Sequence, residues 1–400
     1  MTGREERVFI AGAGPVGLTA AASLTKAGVP VTVLEAGQHL SKESRASTFH
    51  PPTLDMLDAM GAAQPLMAQG LKAPEFQFRS KLHGVIAQFD FGAISDVTSH
   101  AFRVQSEQFK LTHILMEELS RHSNFRIEFG SRVVGVEGQD HGVTVAVERT
   151  GRVVKREAPW IIGADGANSA VRQSLNIEFE GFTWPERFLV LSTPFDFREV
   201  FPDLVSVNYV ADPEQWHFLL KVPELWRVMF PVPQTVFDDE AKTQAFAYGL
   251  LRSIVAGIGR PELVHCTLYR VHQRVAKTFR LGRAFLAGDA AHINNPLGGM
   301  GMNGGIHDAL NISARLARAW HQQDREDELD RYDRQRRQVT LEYIQRHTIQ
   351  NKRDLEAPDE DVHAAFCARM RDIASDPARA REYLLQVSMI ASLQRAAELG

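Results

Sequence analysis

The chain has almost no cysteine: its 400 residues contain two, Cys266 and Cys367, far apart in sequence. Two isolated cysteines build neither a disulfide framework nor a zinc site. No metal centre is expected, and both thiols are expected to lie buried in a reducing compartment. Long apolar runs are missing as well. No stretch approaches the ~18–20 consecutive apolar residues that cross a bilayer. The start, Met1-Thr2-Gly3-Arg4-Glu5-Glu6-Arg7, lacks the long apolar segment and small-residue cleavage site of a signal peptide. The expectation is a cytoplasmic protein with no membrane partner. Positive charge is not in excess either. The 45 Lys and Arg stand against 49 Asp and Glu, a formal net charge of −4, whereas nucleic-acid binders usually carry a basic surplus. Repeats, low-complexity tracts and flexible linkers are absent from the sequence. What remains is ordinary globular composition, 44% hydrophobic and 24% charged. The length suits two intimately packed domains.

The pattern along the chain opens with Val8-Phe9-Ile10-Ala11, an apolar run suited to a strand buried on both faces. Glycines follow, then a small-residue helix over about 16–27, a stop at Gly28 and a second strand over 29–34. Together these are a βαβ unit. Pro51-Pro52 opens another helix, with Leu54, Leu57 and Met60 at helical spacing. Residues 76–102 read as irregular β structure, 106–121 as a strong helix, and 133–148 as antiparallel strands turning at Gln139-Asp140-His141-Gly142. Trp160-Ile161-Ile162 is a third buried-strand candidate. Residues 173–280 are rich in Phe, Val, Trp and Pro and poor in helical periodicity, which predicts a mostly antiparallel sheet in a second domain. After a strand at 284–287 come a glycine-rich loop and a long helix to about Trp320. The rest is helical and charged, and charges such as those of Asp330-Arg331-Tyr332-Asp333-Arg334 read as a solvated face.

The first chemical motif is Gly12-Ala13-Gly14-Pro15-Val16-Gly17, placed after a strand and opening a helix. Gly12 permits the tight turn, Gly14 lets backbone approach a pyrophosphate, and Gly17 lets helix and strand pack closely. Pro15 and Val16 begin the helix whose free N–H groups would meet the phosphate charge. Glu35, followed by Ala36, closes the second strand, near the ~20-residue spacing at which a carboxylate accepts from ribose hydroxyls. The alternative is a glycine-rich turn without a ligand. The motif alone does not separate NAD from FAD.

Two later motifs do. Gly163-Ala164-Asp165-Gly166 follows the strand at 160–162, and Gly288-Asp289-Ala290-Ala291-His292 follows that at 284–287. With the first motif, and in this order, they resemble the class A aromatic monooxygenases, the flavoproteins of the p-hydroxybenzoate hydroxylase type. The resemblance covers most of residues 7–320. It implies an α/β protein: a Rossmann-like FAD-binding domain, an inserted, mostly antiparallel β-sheet substrate domain and a C-terminal helical segment. The implied division is 1–75, 101–172 and 279–345 for FAD, 76–100 and 173–278 for substrate, and 346–400 for the helices.

By the same resemblance Asp289 holds the flavin ribityl hydroxyls, and Asp165 and Gly166 serve FAD and the nicotinamide. Arg45 contacts FAD near the pyrophosphate, and Gln105 also touches FAD. The loop Asn294-Asn295-Pro296-Leu297-Gly298-Gly299-Met300-Gly301-Met302-Asn303-Gly304-Gly305 contains a second GxGxxG. No strand and βαβ unit frame it, so it is not read as a second dinucleotide site. The resemblance places it along the isoalloxazine edge, with Gly298 and Gly301 in the loop and the N–H groups of Met302 and Asn303 toward the ring's pyrimidine end. Pro296 would lie beside the ring, its carbonyl toward substrate.

The implied activity is single-component hydroxylation of a phenol-like or hydroxypyridine-like aromatic with NADH or NADPH and O2, through a flavin C4a-hydroperoxide. The cofactor does the difficult chemistry; the protein excludes water and polarises or deprotonates the substrate. Candidates for that last task are His50, Tyr209 and His217. The bland alternative for each is a hydrogen-bonded interior residue. His292, after the Gly-Asp motif, reads as structural; His272 and Arg274, on a strand returning to the FAD domain, are open to a role toward nicotinamide or substrate, and neither is assigned one. A flavin halogenase or reductase, a non-catalytic FAD-binding protein and a membrane-associated quinone-precursor hydroxylase are the alternatives. The string Trp226-Arg227-Val228-Met229-Phe230-Pro231 lacks the halogenase pattern, and no basic amphipathic helix is evident. A homodimer is the expected assembly.

Overall fold

The computed structural model describes residues 5–43, 46–81, 83–321, 327–356 and 359–400. Val8–Ala11 is buried along its whole length in a six-stranded sheet. The strand order is Arg280–Leu281, Ala284–Leu286, Ile161–Gly163, Val8–Ala11, Val31–Leu34 and Phe125–Glu128. Every pairing is parallel except that of the edge strand Arg280–Leu281. Continuous apolar runs such as Val8-Phe9-Ile10-Ala11 need cover on both faces. Helices Pro15–Lys26, Gln108–Leu119 and Met300–Trp320 and the three-stranded sheet Arg132–Gln139, Gly142–Arg149 and Arg152–Ala158 share one apolar core with this sheet. The register pairs Ala11 with Gly163, and Gly163 with Leu286. All three strands therefore end level, and their loops emerge side by side.

The second sheet has eight strands, in the order His292–Ile293, His265–Ala276, Phe179–Thr193, Trp226–Val232, His217–Lys221, Val207–Ala211, Glu75–Ser80 and Gly84–Asp90. It is antiparallel apart from the parallel pairing of Val207–Ala211 with Glu75–Ser80. One face carries Phe76, Phe78, Phe188, Tyr209 and Met229, and packs with Leu297 and with Phe366, Met370 and Leu384 of the C-terminal helices. The other face carries Leu189, Leu191, Val210, Leu219, Val228 and Phe230 and packs with Ala247 and Leu251. A small sheet joins the two parts: Thr48–Phe49 and Leu71–Ala73 flank Arg103–Gln105.

The expected α/β architecture with a mostly antiparallel second sheet is the one observed, with corrections. The helix expected over 106–121 runs Gln108–Leu119. Its start is delayed because Ser106 N–H donates to Ser47 O and Gln108 N–H to Ala46 O, which holds that stretch extended. The middle region contains a real helix, Gln244–Ile254, capped by Thr243. Arg152–Ala158 is a third strand of the small antiparallel sheet, missed because it is mostly exposed and charged. The charged stretch at 330–334 is not simply a solvated face. Tyr332 is buried with its hydroxyl donating to Leu286 O, and Asp333 accepts from Phe279 N–H. Of the two thiols, Cys367 is buried but Cys266 is exposed. Among the described residues no helix is long and apolar enough to cross a membrane, and no cluster of metal-ligating side chains occurs.

Candidate functional site

Three loops meet at the level strand ends. Gly12 has φ +97°, and a Cβ there would stand 2.5 Å from Ala164 O; at Gly17 it would stand 2.0 Å from Gly12 O. Both positions therefore require glycine. Gly14 and Gly166 differ: the space a Cβ would fill is open at each. Bare backbone facing open space at the start of a twelve-residue helix, Pro15–Lys26, suits an anion such as a pyrophosphate. The Val16 side chain is inside rather than facing that space, since Cβ atoms on Gly288 or Gly305 would meet it at 2.8 and 2.6 Å. Only its backbone N–H can face a ligand.

The half-buried Glu35 braces the loop, accepting from Ala13 N–H and Gly37 N–H, each at 2.7 Å. Ala36 is exposed beside it. A cavity of about 550 Å³ lined by His39, Leu40, Lys42, His113 and Phe129 continues from this turn. Asp165 points inward. It accepts from Ser169 Oγ at 2.5 Å and from Ala170 and Val171 N–H, so it caps Ala170–Ser174, and burial pushes its carboxyl above the usual range. Arg172 donates to Ala290 O and Ala167 O, tying the second loop to the third. Asp289 is exposed at the end of the third strand, on the turn Gly288–Ala290. Arg45 lies outside the described residues.

Beneath Asp289 is a buried ionic group with no signature in the residue pattern. Asp308 Oδ1 accepts from Arg336 Nε at 2.7 Å. Its Oδ2 lies 2.8 Å from His292 Nε2 and 3.1 Å from the Gly288 N–H. All three side chains are essentially inaccessible. Burial opposes the charge on Asp308, but Arg336 and His292 outweigh it and hold the carboxyl down at about 2. The ion triad thus fixes the backbone of Gly288, the residue before Asp289.

The long helix starts at Met300 from two consecutive left-handed glycines, Gly298 (φ +100°) and Gly299 (φ +68°). Its first-turn N–H groups, those of Met302 and Asn303 included, have no acceptors within the helix. Asn303 staples this start to the strand Thr48–Phe49. Its Oδ1 accepts from His50 N–H at 3.0 Å, and its Nδ2 donates to Thr48 O and Gly299 O. His50 Nε2 lies 2.7 Å from Gly298 O. A carbonyl only accepts, so Nε2 carries the proton and Nδ1 is a bare acceptor. Burial, helped by the charge of Arg103, holds His50 well below the usual histidine range, so it is neutral. Pro296 is half-buried, and its carbonyl accepts from Gly299 N–H at 3.0 Å. One lone pair of the oxygen expected to face substrate is thus already engaged in closing the loop.

Gln105 Oε1 accepts from Thr48 Oγ1 at 2.8 Å. Four buried side-chain atoms around this junction have no partner: His50 Nδ1, Gln105 Nε2, Ser106 Oγ and Asn294 Oδ1. Native interiors leave few such atoms unpaired, and a cluster of them marks where a bound group supplies the partners. Together with open Gly14 and exposed Asp289, these residues fit FAD. Gly298 is left-handed (φ +100°), and a Cβ on Gly301 would stand 3.3 Å from Asn294 Oδ1, a tight contact that a small shift of that side chain relieves.

Tyr209 and His217 are not brought together. Tyr209 stacks with Phe218 and lies on the sheet face shared with Leu297. His217 lies on the opposite face, its ring 5.8 Å from Phe230, with burial lowering it to about 4. Two cations, Arg227 on the strand Trp226–Val232 and Arg103 on the joining strand Arg103–Gln105, escaped sequence reading because isolated arginines carry no pattern. Arg227 is half-buried and donates to Ser47 Oγ, while Arg103 is 2% exposed.

A nucleotide fold with these three motifs, opening onto an aromatic sheet, is that of a flavin monooxygenase. The chain matches the family described as FAD binding domain over residues 5–347, and it belongs to that family, within the class A FAD-dependent aromatic monooxygenases. It is 31% identical over 388 residues to para-nitrophenol 4-monooxygenase of Pseudomonas sp. (strain WBC-3), covering 96% of this chain and 95% of that protein. To 6-hydroxy-3-succinoylpyridine 3-monooxygenase HspB of Pseudomonas putida (strain DSM 28022 / S16) it is 32% identical over 385 residues, 95% of this chain and 97% of the relative. The crystal structure of p-nitrophenol 4-monooxygenase PnpA from Pseudomonas putida DLL-E4 superposes with a TM-score of 0.91 at 29% identity, covering 99% of each chain.

Proposed function

We propose that the chain hydroxylates a phenol-like or hydroxypyridine-like aromatic, using NADH or NADPH and O2, as a cytoplasmic homodimer. The observation that carries this reading is the junction at His50. There the start of the Met300–Trp320 helix meets the apolar cluster of Phe76, Phe78, Tyr209 and Leu297 through a loop of two left-handed glycines. The names of the relatives, which act on a nitrophenol and a hydroxypyridine, support the same class. The division into 1–75, 101–172 and 279–345 for FAD and 76–100 and 173–278 for substrate is the working division that goes with it.

Bound FAD supplies hydride acceptance and oxygen activation. The protein's part follows from its own atoms. Gly14 and the first turn of Pro15–Lys26 would receive the pyrophosphate, on a turn whose tight packing Gly12 and Gly17 allow. Glu35 and Asp289 accept from sugar and ribityl hydroxyls. Gln105 Nε2, Ser106 Oγ and the first-turn N–H groups of Met300–Trp320 are the remaining donors, and a helix start favours negative charge. His50 is too weak a base to hold a proton at neutral pH, so its Nδ1 accepts a hydrogen bond from the substrate hydroxyl or a water and orients it. The aromatic layer excludes water.

The test is a visible spectrum of the purified protein, followed by NADH and NADPH oxidation with phenolic and hydroxypyridine acids. Yellow protein with substrate-stimulated oxidation and an oxygenated product is the expected result. Colourless protein that takes up no FAD would defeat it.

A further inference from the structure

Among the described residues, Arg103 is a cation with no counter-ion. Its side chain is 2% exposed. The guanidinium lies over two phenyl faces, 4.9 Å from the Phe76 centroid and 5.1 Å from that of Phe91. No hydrogen bond or ion pair from the described residues engages it, and Nε is buried without a partner. Arginine cannot shed its charge at any ordinary pH. Ring faces offset part of the cost of burying that charge, but the fork of N–H donors still calls for an anion. Other buried arginines of this chain have protein partners: Arg336 has Asp308, and Arg315 has Glu328 and Gln335.

The position of Arg103 says where the anion comes from. It sits on the strand Arg103–Gln105, two residues before Gln105 and on the same side, with Val104 and Gln105 paired to Phe49 and Thr48. His50 follows that partner strand. Phe76, one of the rings under the guanidinium, is 6.2 Å from the Tyr209 ring and belongs to the cluster that contains Leu297 of the glycine loop. The unpaired charge therefore stands between the proposed flavin junction and the aromatic face of the sheet.

We propose that Arg103 is a specificity-determining residue that pairs with an anionic oxygen of the substrate, a carboxylate or a phenolate, so that the enzyme selects aromatic acids over their neutral counterparts. The assignment rests on the hydroxylase reading above.

Calorimetric titration of the full-length protein tests it, with 4-hydroxybenzoate against 4-hydroxybenzamide for a carboxylate, and ionised 4-cyanophenol against 4-methoxybenzonitrile for a phenolate. The unsubstituted protein should prefer the anion in at least one pair. Arg103→Met should weaken that anion about 10- to 100-fold and change its neutral twin less than about threefold, with FAD content unaltered. Arg103→Lys, which keeps the charge but not the fork, should fall between them and guards against a folding defect in the methionine variant. No preference for the anion in either pair, or an equal loss for charged and neutral ligands in both variants, would overturn the proposal. Failure of the flavin reading shows separately, as absence of FAD uptake with the charge preference intact.

Discussion

Replacing Asp308 by Asn should be among the most damaging single changes in the chain. The carboxylate is fully buried against Arg336 and His292, and Asn removes the charge while leaving the Arg336 guanidinium in place. Breaking a buried pair from one side typically costs about 3–5 kcal/mol, because the surviving charge is uncompensated. Acid provides an internal check. With the Asp308 carboxyl at about 2 against an ordinary 3.8, its ionisation contributes about 2 kcal/mol of stability at neutral pH. A depressed carboxyl contributes fully above its unfolded value and loses that contribution as pH falls through its folded one. By about pH 3 roughly 1 kcal/mol should be gone. Urea denaturation followed by circular dichroism should therefore show Asp308→Asn less stable by about 3–5 kcal/mol at pH 7, with a gap narrower by about 1 kcal/mol near pH 3. A loss under about 1 kcal/mol at neutral pH, or a gap that does not shrink in acid, would refute the reasoning. Arg336→Met paired with Asp308→Leu should be far milder than either change alone, since no charge is then stranded.

Three further outcomes follow from the geometry. Gly305→Ala would put a methyl 2.6 Å from Val16 Cγ2 and 2.9 Å from Gly288 Cα; it should cost about 1–3 kcal/mol in thermal unfolding and lower the FAD content of purified protein. Asp289→Asn should weaken FAD about 10-fold or more by fluorescence titration with an unchanged circular dichroism spectrum; undiminished affinity would remove Asp289 from the flavin site. His50→Gln should cut product formed per nicotinamide oxidised about 10- to 100-fold while the protein stays yellow. Because His50 lies well below 6.5, it stays neutral as pH rises above that value, so kcat/KM of the unsubstituted enzyme should carry no limb from it between about pH 6.5 and 9.

The parts of the site that were legible in the sequence are those where backbone geometry leaves a residue signature. Gly12 and Gly17 had to be glycine because carbonyl oxygens occupy the space a Cβ would need, and the apolar runs ending at 11, 162 and 287 placed the strand ends, observed at 11, 163 and 286, to within one residue. Side-chain burial across domains was not legible. Tyr209 and His217 alternate alike with apolar neighbours, yet pairing sends them to opposite faces that are both covered, so alternation could not say which faces the flavin. Asp308, Arg336 and Arg103 look like any solvated charge until the elements around them close. The helix Gln244–Ile254 was missed although Ala247, Leu250, Leu251 and Ile254 recur at helical spacing; Phe246 and Tyr248, which also pack on the sheet, blur the apolar stripe.

The Asn303 staple joins positions 253 residues apart in the chain. Order of synthesis gives this distance a meaning. The glycine loop at 12–17 leaves the ribosome early, but the helix start that completes the opposite wall arrives only when about three-quarters of the chain has been made. Until then the first βαβ unit lacks Asp289, Asn303 and the triad beneath them. Flavin capture is therefore expected late in the life of each molecule, after the sheet between the two halves of the wall has been made. A nascent chain halted before residue 300 should be blind to FAD in the medium, whereas release of a few tens more residues should switch uptake on abruptly.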